Sequence, residues 1–230
     1  MNEKNPYNIC TWDDQADCAN CANQEKLACK RDPKIATAFA VISVPTMVVT
    51  IIGMIIIGFL AGAWWILIAF ILWLVVIFGF IEIRALCTHC PYYAEESKAL
   101  HCLGNNGAPK PWRYRPGPMN NIEKFIFLAP TILVVFILFP VGTFGYGIWF
   151  LVTHYAVYGL ISLLGFIGVF LACLLSVGTF LYILKVFFCS KCVNFSCPFN
   201  TVHKAVVDEY LKKNPVMKEA WEKSGYKLGE

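Results

Sequence analysis

The chain has 230 residues, of which 58% are hydrophobic and 15% are charged, with a net charge of +4 and eleven cysteines. Soluble domains are typically about 45–50% apolar and about 25% charged, so this composition excludes an ordinary soluble enzyme and indicates a membrane protein. The small net charge is not gathered into a basic stripe, which argues against nucleic-acid binding.

Residues 1–34 form a polar N-terminal segment that carries four cysteines. Cys10, Cys18, Cys21 and Cys29 follow a C-x7-C-x2-C-x7-C pattern. Two thiolates separated by two residues can reach one metal ion from a tight turn. The segment lacks the short apolar stretch of a signal peptide, so we expect it to be retained as a cysteine module.

Residues 35–86 are predicted to form the first transmembrane hairpin. The stretch from Ile35 to Ile81 contains 47 residues and no Asp, Glu, Lys or Arg. One transmembrane helix needs roughly 20 apolar residues, so this stretch holds two. We place the turn at 58–63, where the following Trp64 and Trp65 fit an aromatic belt at the headgroup level.

Residues 87–121 are predicted to be a polar loop with a second group of cysteines. Cys87, Cys90 and Cys102 give the pattern C-x2-C-x11-C. The basic, aromatic and proline-rich stretch 110–119 cannot be a regular helix. We interpret it as an interfacial anchor, with a loop for partner docking or anion binding as the alternative.

Residues 122–188 are predicted to form the second transmembrane hairpin. The charge-free stretch 125–184 contains 60 residues, enough for two helices with a turn near 153–159. Pro130-Thr131 repeats the Pro45-Thr46 pair of the first hairpin, and a C-x2-C pattern follows each hairpin. These matches suggest a parallel repeat with two equivalent metal modules.

Residues 189–230 are predicted to be a C-terminal cysteine module with two short helices. Cys189, Cys192 and Cys197 give the pattern C-x2-C-x4-C. An apolar stripe at helical spacing begins at Val202. Asn214 resembles an N-cap with Pro215 in the first helical position, so a second helix should follow there.

All nineteen Lys and Arg residues lie in or beside the three polar segments. The positive-inside rule therefore places both termini and the central loop in the cytoplasm. The predicted fold is an all-α integral membrane protein, with four transmembrane helices arranged as two hairpins and a cytoplasmic cysteine-rich, metal-binding cap.

We predict that ten of the eleven cysteines bind metal. The Cys-Pro steps at Cys90 and Cys197 resemble the end of ferredoxin motifs and favour iron–sulfur clusters of the [4Fe–4S] type. Zinc is the alternative, with His89 or His101 completing one site and His203 another. The predicted ligands are Cys10, Cys18, Cys21, Cys29, Cys87, Cys90, Cys102, Cys189, Cys192 and Cys197.

The leading functional hypothesis is a membrane-bound iron–sulfur electron-transfer subunit. It would link a cytoplasmic redox partner to the quinone pool or to another membrane subunit, within an oxidoreductase complex rather than as a stand-alone enzyme. The alternative is a zinc-stabilised membrane scaffold or assembly subunit without redox chemistry. A third hypothesis is a protein that uses its thiols transiently to handle metal ions or redox equivalents.

Overall fold

The structure is a computed structural model that describes residues 5–229. The described part is helical without strands, and Ala99 and Pro109 form an isolated backbone bridge. Its α-helices are α1 (Pro33–Ala61), α2 (Trp64–Val76), α3 (Glu82–Ala85), α4 (Asn121–Leu128), α5 (Phe139–Thr153), α6 (Tyr155–Ile183), α7 (Lys204–Lys212) and α8 (Pro215–Lys223).

Four helical segments are long and apolar enough to span a membrane, which confirms the predicted multi-pass membrane protein. They are Pro33–Ala61, Trp64–His89, Asn121–Thr153 and Tyr155–Phe188. Short π-helical segments continue three of these spans, at Ile77–Ile81, Ala129–Leu138 and Leu184–Phe188. The second begins beside Pro130, whose ring nitrogen cannot donate the usual helical hydrogen bond.

The turns inside both hairpins lie where the sequence predicts them. α1 ends at Ala61 and α2 begins at Trp64, with Gly62 between them at φ +66°. An L side chain is strained at such a φ. α5 ends at Thr153 and α6 begins at Tyr155.

Local capping explains where α1 and α4 begin. The Asp32 carboxylate accepts a hydrogen bond from the Lys34 backbone N–H at 2.8 Å, directly before α1. At α4, Asn120 accepts a hydrogen bond from the Glu123 N–H and Glu123 accepts one from the Asn120 N–H, at 2.8 and 3.1 Å. This reciprocal pair is a capping box.

The chain divides into two compact units. The first, here called the polar unit, comprises 5–39, 81–127 and 183–229; the second, the apolar unit, comprises 40–80 and 128–182. In the apolar unit, Phe144 is fully buried and its ring lies 5.0 Å from that of Phe170. Many large apolar side chains of this unit are exposed, as expected for helices that contact lipid.

Close helix packing in the apolar unit depends on glycine at a few positions. A Cβ atom at Gly147 would collide with the side chains of Ile57 and Phe166, so a larger residue would force them to shift. Four other glycines of the second hairpin have no such close neighbour, because nothing lies within 4 Å of a Cβ built at any of them: Gly142, Gly145, Gly165 and Gly168.

The polar unit has its own hydrophobic core, to which all three polar segments contribute. Ile9, Tyr93 and Leu211 are almost fully buried in it. Hydrogen bonds also join the segments: Trp12 Nε1 donates to the Pro91 carbonyl at 2.9 Å. The C-terminal helices α7 and α8 follow the prediction, and Pro215 is the first residue of α8.

Candidate functional site

All ten cysteines predicted as ligands lie in the polar unit, and each has a free thiol. The eleventh, Cys173, lies in the apolar unit, where its sulfur is 3.4 Å from the Thr50 hydroxyl. The structure therefore separates Cys173 from the other thiols, as expected for a cysteine with a packing role.

The four N-terminal cysteines lie near one another. Burial raises the pKa of Cys29 to about 12, and repulsion from the charged forms of Cys10, Cys21 and Cys18 adds to this effect. Burial also raises the pKa of Cys10, with further contributions from Cys21 and Cys18. We call these four residues the N-terminal thiol group.

Two residues from the loop between α7 and α8 contact this group. The Asn214 side chain donates to the Cys10 sulfur at 3.3 Å and accepts a hydrogen bond from the Cys10 backbone N–H at 2.7 Å. The Lys213 ammonium donates to the Cys21 sulfur at 3.2 Å. Sequence spacing could not reveal either contact, because Asn214 and Lys213 are remote from the N-terminal cysteines in the chain.

The remaining six cysteines form a second group that combines the central loop with the C-terminal segment. Burial raises the pKa of Cys102 to about 11, and nearby Cys192 contributes. The pKa of Cys90 lies well above its usual range because of burial and the neighbouring Cys192, Cys102 and Cys87.

Cys189 and Cys197 complete this second group. Burial raises the pKa of Cys197 to about 12, with additional repulsion from Cys192 and Cys189. We call the six residues the six-thiol group: Cys87, Cys90, Cys102, Cys189, Cys192 and Cys197. The spacing suggested two separate sets of three, whereas the structure brings both sets together.

Several N–H groups donate to sulfur in the six-thiol group. The Asn105 backbone N–H donates to the Cys102 sulfur at 3.0 Å, and the Asn105 side chain donates to the Cys87 sulfur at 3.3 Å. The Asn194 N–H donates to the Cys192 sulfur at 3.4 Å. Such donors stabilise negative charge on sulfur, and hydrogen bonds to sulfur are one of the factors that set the reduction potential of a thiolate-bound cluster.

The Asn105 side chain also donates to Glu82 at 3.1 Å. Glu82 lies near the end of the second membrane-spanning segment. Its other carboxylate oxygen is buried and has no hydrogen-bond partner among the described residues. Glu82 therefore lies beside the six-thiol group, which its position in the sequence did not indicate.

The three histidines considered as zinc ligands make other contacts. The Nδ1 atom of His89 is 2.6 Å from the Gly117 carbonyl, and its Nε2 is 3.3 Å from Glu123. Nδ1 of His101 is 2.6 Å from Glu95. Nδ1 of His203 accepts a hydrogen bond at the start of α7.

Glu123 is also the centre of a charged cluster. Arg115 forms an ion pair with it, and Arg84 lies 3.8 Å away. Arg115, in the middle of the 110–119 stretch, is thus held by a carboxylate from α4. This contact gives that stretch an internal structural role.

The cysteine side chains of each thiol group are neighbours, but they do not form a complete metal site. Within residues 5–229, no three His, Cys, Asp or Glu side chains lie together closely enough to hold a metal ion. The donor chemistry fits a thiophilic metal, because both groups consist of sulfur and receive N–H donors. No protein-family model, curated protein or solved structure is detectably similar to this chain.

Proposed function

We propose that the chain is a membrane-embedded electron-transfer protein whose two thiol groups hold iron–sulfur clusters. The observation that carries the proposal is the sorting of ten cysteines into one group of four and one group of six. Each group contains at least the four thiolates that a [4Fe–4S] cluster requires. Clusters bound there would supply one-electron redox chemistry.

The contacts of the histidines support iron–sulfur clusters over the mixed zinc sites expected from the sequence. Mixed sites would need His89 or His101, and His203, among the thiols, but the Nε2 atom of His89 lies 3.3 Å from Glu123, and the charged groups that raise the pKa of Cys29, Cys90 and Cys197 include other cysteines and no histidine. An all-sulfur donor set is the usual one for clusters.

The proposal also includes the orientation of the protein in the membrane and its redox partners. Eighteen of the nineteen Lys and Arg residues lie within the polar unit, and the nineteenth, Lys4, precedes it in the N-terminal segment of the sequence. We therefore place that unit and both termini in the cytoplasm. Cys18 of the N-terminal thiol group is exposed. A cytoplasmic redox protein would exchange electrons there, and a quinone or another membrane subunit would be the second partner.

A zinc-stabilised scaffold is the second candidate, and one observation favours it. Cys87 and Cys90 belong to the hydrophobic core of the polar unit, where a structural metal would link the central loop to the C-terminal segment. Structural zinc commonly supports folding in this way.

Metal and sulfide analysis of anaerobically purified protein separates the two candidates. The electron-transfer proposal predicts iron and acid-labile sulfide in similar amounts, and a broad visible absorption that dithionite bleaches. Cys102→Ser should lose about half of the iron, whereas Cys173→Ser should retain all of it. Stoichiometric zinc without iron or visible absorption would contradict the proposal and support the scaffold.

A further inference from the structure

The polar unit contains a surface cavity that the thiol groups do not occupy. Its volume is about 300 Å³, and its lining includes Lys124, Phe195, Ser196, Trp221 and Tyr226. This volume lies at the lower end of the range for small-molecule sites, which is roughly 300–1,000 Å³.

Two polar groups on the cavity wall lack protein partners. Ser196 is 5% exposed, and its hydroxyl oxygen is buried without a hydrogen bond to any described residue. Buried polar atoms are normally hydrogen-bonded, so this hydroxyl keeps an unused donor next to the cavity. The Lys124 ammonium forms no ion pair with another residue in the described part of the chain.

Three aromatic side chains also line the cavity. The Trp221 ring meets those of Phe195 and Tyr226 edge to face, with centroids 6.4 and 5.1 Å apart. Trp221 Nε1 donates to the Pro116 carbonyl, and the Tyr226 hydroxyl donates to Asp208. Because these polar atoms are already engaged, the residues offer mainly their apolar rings to a ligand.

Two residues that line the cavity connect it to the six-thiol group and to a membrane-spanning segment. Ser196 directly precedes Cys197. Lys124 lies in the first turn of α4, which begins the third membrane-spanning segment, and its neighbours Ile122 and Phe125 are each 70% exposed. A molecule that enters from a lipid phase could therefore reach a site beside a candidate cluster ligand.

We propose that this cavity binds the headgroup of a membrane quinone. Lys124 and Ser196 donate hydrogen bonds to the quinone carbonyl oxygens, and Trp221 and Phe195 pack against the ring. One cation and three aromatic rings suit a neutral planar acceptor better than a phosphate, which favours several cationic donors. The choice of a quinone rests on the proposed electron-transfer function.

Calorimetry tests the inference. It measures the binding of a short-chain benzoquinone to the purified full-length protein in detergent. We expect saturable binding at one site, weakened about ten-fold in Lys124→Met and several-fold in Ser196→Ala, since each loses one hydrogen bond. Lys191→Met removes an exposed lysine outside the cavity and should bind as the wild type does. Melting temperatures of all variants establish that they are folded.

Iron content measured on the same preparations distinguishes this inference from the proposed function. Iron-containing protein without saturable quinone binding, or binding unchanged in both cavity variants, would overturn the inference alone. Iron-free protein that binds quinone through Lys124 and Ser196 would support the cavity site and overturn the cluster proposal. Displacement of the quinone by phosphatidylglycerol vesicles would show a phospholipid site and overturn the inference.

Discussion

The ammonium of Lys213 lies 3.2 Å from the sulfur of Cys21, although 192 residues separate them in the chain. Burial opposes ionisation of this thiol, but the Asn23 backbone N–H and the Lys213 ammonium hold its pKa below the usual value for cysteine. The contact therefore places a positive charge next to a sulfur of the N-terminal thiol group and favours its ionised form.

Lys213→Gln should lower the midpoint potential of a cluster held by this group. The lysine charge favours the reduced, more negative form, so its removal favours the oxidised form. Because the pair is largely exposed, we expect a shift on the order of tens of millivolts. Potentiometric titration followed by electron paramagnetic resonance measures it. Lys212→Gln is the control, since the Lys212 ammonium binds Glu209 instead, and an equal shift in both variants would contradict a specific role for Lys213.

Asn214→Ala should destabilise the polar unit. The Asn214 side chain is fully buried and bonds to Cys10 and to the Tyr210 carbonyl. Leaving these groups unpaired costs about 1–3 kcal/mol, which a lower melting temperature in detergent would report. Asn20→Ala removes an exposed asparagine that bonds only locally to Asp17 and should be nearly neutral. Similar losses in both variants would rule out a special contribution of Asn214.

Asp208→Asn should destabilise the protein near pH 7 but have little effect at strongly acidic pH. Burial raises the pKa of Asp208, but hydrogen bonds from Lys204, Tyr226 and Gly229 outweigh this effect and hold the pKa below its usual range. The folded-state pKa is thus lower than the unfolded one, about 3.9. The stabilisation, about 1 kcal/mol, is complete above that unfolded value and disappears as the pH falls through the folded-state pKa.

Melting curves of wild type and Asp208→Asn between pH 7 and pH 3 check this prediction. Asp14→Asn is the control, because Asp14 is exposed, and it should match the wild type across the range. A constant difference between wild type and Asp208→Asn at every pH would contradict the assigned carboxylate role.

Gly147→Leu should disrupt the packing of the apolar unit. Any side chain at this position would collide with Ile57 and Phe166, and overpacking of this kind typically costs about 1–3 kcal/mol. Gly145→Leu adds the same side chain where no heavy atom lies within 4 Å of the new Cβ. Comparable melting temperatures for the two variants would show that Gly147 is not a packing constraint.

The sequence predicted the features of this fold that depend on local chemistry. Long charge-free stretches must form helices in lipid because no water satisfies their backbone groups. The start of α8 followed from Pro215, since proline suits the first helical position. Asn214 lies at the predicted cap position, but its side chain bonds to Cys10 and Tyr210 and makes no cap hydrogen bond. The four N-terminal cysteines were recognisable because they lie within twenty residues of one another.

The spacing of residues in the sequence could not predict tertiary contacts. Cys102 and Cys192 lie in one group although they belong to different polar segments, and nothing in either C-x2-C pattern identifies the other as its neighbour. Charged residues at helix ends usually extend to water, whereas a carboxylate oxygen of Glu82 is buried. Its contact with Asn105 arises from the folded central loop.

Electron paramagnetic resonance of the dithionite-reduced protein tests the central claim most directly. The proposal predicts two sets of signals from iron–sulfur clusters, one lost in Cys10→Ser and the other in Cys90→Ser, with both retained in Cys173→Ser. A silent spectrum from folded protein that carries stoichiometric zinc and no iron would contradict it.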